Sequence, residues 1–196
     1  MAKRLFDIVF SLLGIVILSP LLFIITFIIL FTSAGGAFYN QVRVGKNGKE
    51  FRLFKFRTMR PGADKSGALT VGMKDSRITA LGFYLRKYKL DELPQLFNIL
   101  KGDMSFVGPR PEVPKYVALY DSNQRAVLSV KPGLTDYASI VYSEENKILA
   151  ASENPEEFYI KKVMPAKLKL NLRYISEMGL ATDVKVILKT IGKVFN

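Results

Sequence analysis

LFDIVFSLLGIVILSPLLFIITFIILF, Leu5–Phe31, is apolar except for Asp7, Ser11, Ser19, Pro20 and Thr26. Wound into one helix at 1.5 Å per residue, it spans roughly 40 Å, against about 30 Å for the hydrocarbon core of a bilayer. It is too long for a signal-peptide core and no small-residue cleavage site follows, so the segment is expected to stay on the chain. Two membrane arrangements stand. One is a tilted spanning helix; the other is a re-entrant helix-break-helix that enters and leaves by the same face. Ser19-Pro20 lies mid-segment, where proline removes a backbone donor and crowds the preceding turn, and Ser19 can take up the freed carbonyl. Both flanks are basic, with Lys3 and Arg4 before and Arg43, Lys46 and Lys49 after. Cationic flanks favour the cytoplasmic side, and here both ends carry them.

The chain of 196 residues contains no His, Cys or Trp. Disulfides, zinc-thiolate sites and thiol nucleophiles are excluded, as are the commonest general base and metal ligand. Chemistry must come from Asp, Glu, Lys, Arg, Ser, Thr or Tyr, and a metal would be a hard ion such as Mg²⁺. With 29 Lys+Arg against 17 Asp+Glu, the net charge is +12. Such a chain seeks polyanions: nucleic acid, anionic lipid or small phosphates.

Beyond the apolar segment, residues 34–49 read as a loop turning at Lys46-Asn47-Gly48-Lys49. EFRLFKFRTM, Glu50–Met59, alternates as a strand with a cationic side. Residues 61–77 are Gly-rich and polar, a mobile loop. A helix is predicted over Thr79–Lys89, with Leu81, Tyr84, Leu85 and Tyr88 at helical spacing; Leu93, Leu96, Phe97 and Leu100 repeat it. Pro94 suits a first helical turn. Further helices are predicted over Pro114–Val130 and Glu156–Met178, the second interrupted at Pro165, and Lys131–Val141 as a turn and an extended run. In Asp183–Phe195, capped by Asp183, one stripe holds Val184, Ile187, Leu188 and Ile191 and another Lys185, Lys189 and Lys193. That is a surface helix on a core or a helix lying at the lipid interface. The expected fold class is α+β, mainly helical. Residues 1–33 form the membrane element and residues 34–196 a cytosolic domain with short strands and interfacial amphipathic helices.

LDELPQLFNILKGDMSFVGPRPE, Leu90–Glu112, sets two carboxylates, Asp91 and Glu92, side by side before a helix. An acidic pair there stabilises the helix by about 0.3–1 kcal/mol, and that is one reading. The other starts from the cations nearby: Lys55, Arg57, Arg86, Lys87, Lys89 and Arg110. Carboxylates beside cations are expected to have depressed pKa values, Arg suits bidentate phosphate contact, and a helix start offers N–H groups to anions. These are parts of a phosphoryl-transfer site, in which one carboxylate attacks phosphorus and the other helps hold Mg²⁺. Asp103 is read as structural, capping the turn that aims Arg110.

KFRTM (Lys55–Met59), LDELPQLFNILKGDMSFVGPRP (Leu90–Pro111) and KPGLT (Lys131–Thr135) closely resemble the bacterial sugar transferase family, the monotopic phosphoglycosyl transferases. The N-terminal RLFDIVFSLLGIVILSP and the C-terminal MPAKLKLNLRYI and TDVKVILKTI are similar too, so the resemblance covers essentially the whole chain, in a minimal form. It implies transfer of a sugar-1-phosphate from a UDP-sugar to undecaprenyl phosphate, with release of UMP, as a first membrane step of glycoconjugate assembly. It implies Asp91 as nucleophile, Asp91 and Glu92 as Mg²⁺ ligands, and phosphate contacts at Lys55, Arg57, Arg86, Pro109 and Arg110. It also implies the re-entrant hairpin broken at Ser19 and Pro20. The enzyme would sit on the cytoplasmic face of the bacterial inner membrane, against anionic phospholipid and without nucleic acid, and self-association into a homo-oligomer stays open. One segment departs from the family pattern. After PGLT many relatives have a Gly-Trp-Ala-Gln-Val run, where this chain reads DYASIVYSEENKILA, Asp136–Ala150. A different sugar preference follows from that departure. Two other classes compete: a non-catalytic basic membrane scaffold for a glycan assembly complex, and a nucleic-acid binder, against which the apolar N-terminus weighs.

Overall fold

The computed structural model describes residues 1–63, 69, 72 and 75–195, with side chains to Lys193. Most of the loop read at 61–77 lies outside the described residues. The first element, α1 (Ala2–Thr32), is a helix of 31 residues with Pro20 inside it. The helical assignment is continuous across Ser19-Pro20, where the sequence reading expected a break. Pro20 leaves the Val16 carbonyl without its usual donor, and the Ser19 hydroxyl donates to that carbonyl at 2.8 Å. Both residues are exposed, so no neighbour opposes the ring.

One stripe of α1 lies on the rest of the chain along its whole length. Arg4 donates to the Ile99 and Leu100 carbonyls at 2.6 and 2.8 Å. Asp7 accepts from the Ser105 hydroxyl at 3.0 Å and the Phe106 N–H at 3.1 Å. Ile15 and Leu18 pack on Leu53, Leu96, Ile99 and Met104, and Leu21, Leu22, Ile25 and Ile29 on Ala37, Phe56 and Leu85. The other face, including Phe10, Ile17, Phe23, Phe27 and Phe31, is exposed. The polar exceptions Asp7 and Ser11 are thus buried docking residues. The flanking cations Lys3, Arg4 and Arg43 turn inward onto carboxylates and carbonyls; only Lys46 and Lys49 of that set face outward.

Strand β1 (Phe38–Val44) pairs antiparallel with β2 (Glu50–Phe56), from Phe38↔Phe56 to Val44↔Glu50. The sequence reading missed β1. Its half-buried residues are Tyr39, Gln41 and Arg43, while Phe38 and Val42 face out, which inverts the usual pattern. On α3 (Gln95–Lys101), buried Asn98 accepts the Phe54 N–H at 2.9 Å and donates to the Arg52 carbonyl at 2.8 Å. One side chain thereby satisfies the free edge of β2 as a further strand would. Strand β3 (Ser105–Val107) pairs in parallel with β4 (Gly133–Thr135). Beside this pair a Cβ on Gly133 would sit 2.1 Å from the Gly108 nitrogen, so the two backbones meet where no side chain fits.

Helix α2 spans Ala80–Lys87, capped by Thr79. The helix predicted over Pro114–Val130 is corrected to a short α4 (Pro114–Val117) and a 3₁₀ turn at Gln124–Ser129. Asp121 and Gln124 bond each other's backbone N–H and hold the chain in that turn. The run after Lys131 is extended only through Thr135; α5 (Tyr137–Val141) and α6 (Glu145–Ala150) follow. Pro165 does not interrupt its helix. The chain passes from α7 (Pro155–Phe158) through a π-turn at Tyr159–Val163 into α8 (Met164–Ser176), and the wide turn absorbs the missing N–H. Helix α9 (Leu180–Phe195) starts before Asp183, which is buried and bonded by Lys3 and Tyr174 instead of capping. Its inward residues include Asp183 and Val186, while Val184, Leu188 and Ile191 are exposed.

Asn98→Ala leaves the Phe54 N–H and the Arg52 carbonyl without a partner. A loss of about 1–3 kcal/mol is expected, read as a lower midpoint in denaturant titration.

Candidate active site

The carboxylate pair is placed by an unusual backbone step. Lys89 adopts left-handed geometry, φ +57°, which side-chain-bearing residues rarely do. A 3₁₀ turn at Leu90–Glu92 follows, and it buries Asp91 and Glu92 to 6% and 8% exposure. The pair thus precedes α3. The Glu92, Leu93, Leu96 and Phe97 amides donate to carbonyls of the same turns.

Three segments bring cations to this turn. Lys55, on β2, lies 2.9 Å from Glu92 Oε1 and 3.9 Å from Asp91 Oδ2. Arg110, after β3, grips Glu92 with both guanidinium ends, Nη2 on Oε1 and Nη1 on Oε2 at 3.4 Å. Arg86, on α2, interacts electrostatically with Asp91. Pro109 has no N–H to give a phosphate; its carbonyl accepts the Gly133 N–H at 3.0 Å and so fixes the turn. Arg57 does not join the pair. It donates to the Gly36 and Phe38 carbonyls at 2.9 and 3.1 Å and lies over the Tyr39 ring. Asp103 is corrected as well: it lies 3.4 Å from the Asn98 amide and 3.3 Å from Lys101, and Arg110 is held by Glu92 and Asp136.

The two carboxylates titrate in opposite directions. Burial raises the Asp91 pKa, and Lys55 only partly opposes it. Burial also acts to raise Glu92, but Arg110 and Lys55 outweigh it and hold Glu92 well below the ordinary range. The expected depression is therefore right for Glu92 and wrong for Asp91. The physical reason is Arg110, which bonds Glu92 and not Asp91, and Lys55, which lies an ångström nearer to Glu92. Burial likewise lowers Lys55, while Glu92 raises Arg110. Glu92 is a fixed anion already neutralised. Asp91 receives no hydrogen bond among the described residues and is the more basic of the two, with an oxygen free to bond a new partner.

Sequence reasoning missed three supports. Asn98 carries the α3–β2 contact, Asp7 holds the start of β3, and Glu112 accepts from Arg43 at 3.1 Å and from Tyr159 behind the Arg110 turn. Only Asp7 gave a signal, as a charge inside an apolar run. Among the described residues no three Asp or Glu side chains gather as a metal site.

A family model described as bacterial sugar transferase matches residues 1–196. The exopolysaccharide production protein ExoY of Sinorhizobium fredii is 34% identical over 98% of this chain and 85% of its own. The UDP-N-acetylgalactosamine-undecaprenyl-phosphate N-acetylgalactosaminephosphotransferase of Aeromonas hydrophila is 34% identical over 96% of this chain and 42% of its own. The UDP-glucose:undecaprenyl-phosphate glucose-1-phosphate transferase of Klebsiella pneumoniae is 35% identical over 98% and 40%. The match runs over the whole of this sequence, and the chain belongs to the bacterial sugar transferase family.

Proposed function

We propose that the protein moves a sugar-1-phosphate from a UDP-sugar to undecaprenyl phosphate through a covalent intermediate on Asp91. The observation that carries this is the state of Asp91: buried, raised in pKa, without a hydrogen-bond donor among the described residues, and beside cations already balanced by Glu92. The ionised Asp91 oxygen attacks the β-phosphorus of the donor. The bond from that phosphorus to the bridging oxygen breaks, and UMP leaves with the electron pair. An oxygen of undecaprenyl phosphate then attacks the same phosphorus, the acyl-phosphate bond breaks, and the Asp91 carboxylate returns. One phosphoanhydride replaces another and no histidine base is needed. Lys55, Arg86 and Arg110 offset the charge on the phosphoryl oxygens.

Mg²⁺, the expected cofactor, neutralises a diphosphate when bound. Mg²⁺ usually takes one or two protein carboxylates, with substrate phosphates and water completing its shell. Asp91 fits as that carboxylate. Glu92 fits poorly, because both of its oxygens lie on cations.

The packing of α1 supports a one-sided membrane position. A spanning helix would carry its middle third into hydrocarbon, and with it the strand and turn that bear Lys55 and the carboxylates. We read α1 as sunk by its exposed apolar face into one leaflet, with both ends on the cytoplasmic side of the bacterial inner membrane. The exposed Val184, Leu188 and Ile191 of α9, flanked by Lys185 and Lys189, suit the interface with anionic phospholipid. The soluble donor and the lipid acceptor then meet over the same face.

Purified protein with Mg²⁺, undecaprenyl phosphate and a panel of UDP-sugars should release UMP from one donor. Asp91→Asn should abolish release and the phosphosugar adduct seen on Asp91 by mass spectrometry. Undiminished release by Asp91→Asn would sink the covalent reading. The reaction needs ionised Asp91, so its rate falls as pH drops through the raised pKa. Lys55→Met removes a cation that lowers that pKa, and the acid limb of the pH–rate profile should move to higher pH; an unmoved limb would separate it from Asp91.

A further inference from the structure

Asp136 follows β4 directly and is fully buried, at 0% exposure. Its two oxygens serve two different segments. Oδ1 accepts the Ser139 N–H at 2.6 Å, which caps α5. Oδ2 accepts the Arg110 N–H at 3.3 Å. Between the two loops the backbone bonds run Gly108 N–H to the Thr135 carbonyl and Gly133 N–H to the Pro109 carbonyl. Arg110 supplies the next amide, and a side chain, not a strand, receives it. The Arg110 guanidinium in turn grips Glu92, beside the nucleophile. Asp136 also adds to the negative field around that guanidinium, as does Glu145, which is tied to Lys167 at 2.6 Å. One buried carboxylate therefore joins the backbone of Arg110 to the start of the segment that carries α5 and α6.

We infer that Asp136 is a positioning residue for phosphosugar transfer, fixing the backbone of Arg110 so that its guanidinium faces Glu92 and the donor phosphates. The inference rests on the reading under Proposed function. A bland alternative is that Asp136 only caps α5. The two differ in what serine does at this position, since Ser caps a helix about as well as Asp but its single, shorter hydroxyl cannot also reach Arg110.

The full-length protein in detergent would be compared with Asp136→Ser, Asp136→Asn and, in parallel, Asp91→Asn, following UMP release and thermal melting. Asp136→Ser should stay folded, its melting point lowered only by the one bond the Arg110 N–H loses, while kcat/KM for the UDP-sugar falls by about 100-fold, the scale of a misplaced contact. Asp136→Asn keeps one carbonyl oxygen at the original reach and should fall in between. Wild-type kcat/KM in Asp136→Ser overturns the inference. So does a loss matched by a lower melting temperature and not eased by Asp136→Asn. If Asp91→Asn also releases UMP, the functional reading itself fails; if Asp91→Asn is dead and Asp136→Ser is fully active, only the positioning role fails.

Discussion

The centre of the molecule depends on balancing one buried anion. Glu92 cannot remain ionised at its depth without opposite charge, and Lys55 and Arg110 supply it from two segments far apart in sequence. That requirement ties β2 and the turn after β3 to the 3₁₀ turn of the carboxylates. The surrounding architecture follows from it. Asn98 completes the edge of the strand that carries Lys55, and the Gly108–Gly133 contact sets the turn that carries Arg110. Because Glu92 absorbs the positive charge, Asp91 is left buried and comparatively basic. Adjacent residues of the same chemical type acquire different roles because one arginine grips the second and leaves the first.

How much of this was legible depended on the kind of signal. The long apolar run, the helical spacing of Leu81 to Tyr88 and Leu93 to Leu100, and the carboxylate–cation grouping all rest on local pattern, and all reappear in the structure. Strand β1 was hidden because its inward side is polar: Arg43 and Gln41 face in, while Phe38 and Val42 face out. The helix expected over Pro114–Val130 failed because Asp121 and Gln124 offered the backbone a closer partner than the next helical turn. At Ser19-Pro20 the sequence showed both the fault and its repair: proline removes a backbone donor, and the serine hydroxyl takes the freed carbonyl. Arg57 could not be told from Lys55 by alternation alone. Their different duties depend on which loop each one meets.

Charges placed among apolar residues were informative in another way. Lys3, Arg4 and Asp7 look like flanking decoration on a membrane segment. In three dimensions they are docking contacts that set α1 against α3, β3 and α9. The amphipathic helix at the other end shows the converse. Its apolar stripe largely faces away from the core, and the residues it buries include an acid and a small valine. In a protein that lives at a lipid surface, hydrophobicity along the sequence marks contact with lipid as readily as contact with protein.

The Lys3–Asp183 pair links positions 180 residues apart. A ribosome makes the lysine 180 residues before the aspartate. Until Asp183 is made, the ammonium lacks this carboxylate, and the cleft formed by Val107 and Tyr174 lacks its acid. The Lys3 contact of α1 with α9 can form only after α9 has emerged. A chain cut short before Asp183 would keep the Arg4 and Asp7 contacts of α1 yet leave Lys3 without its counter-charge.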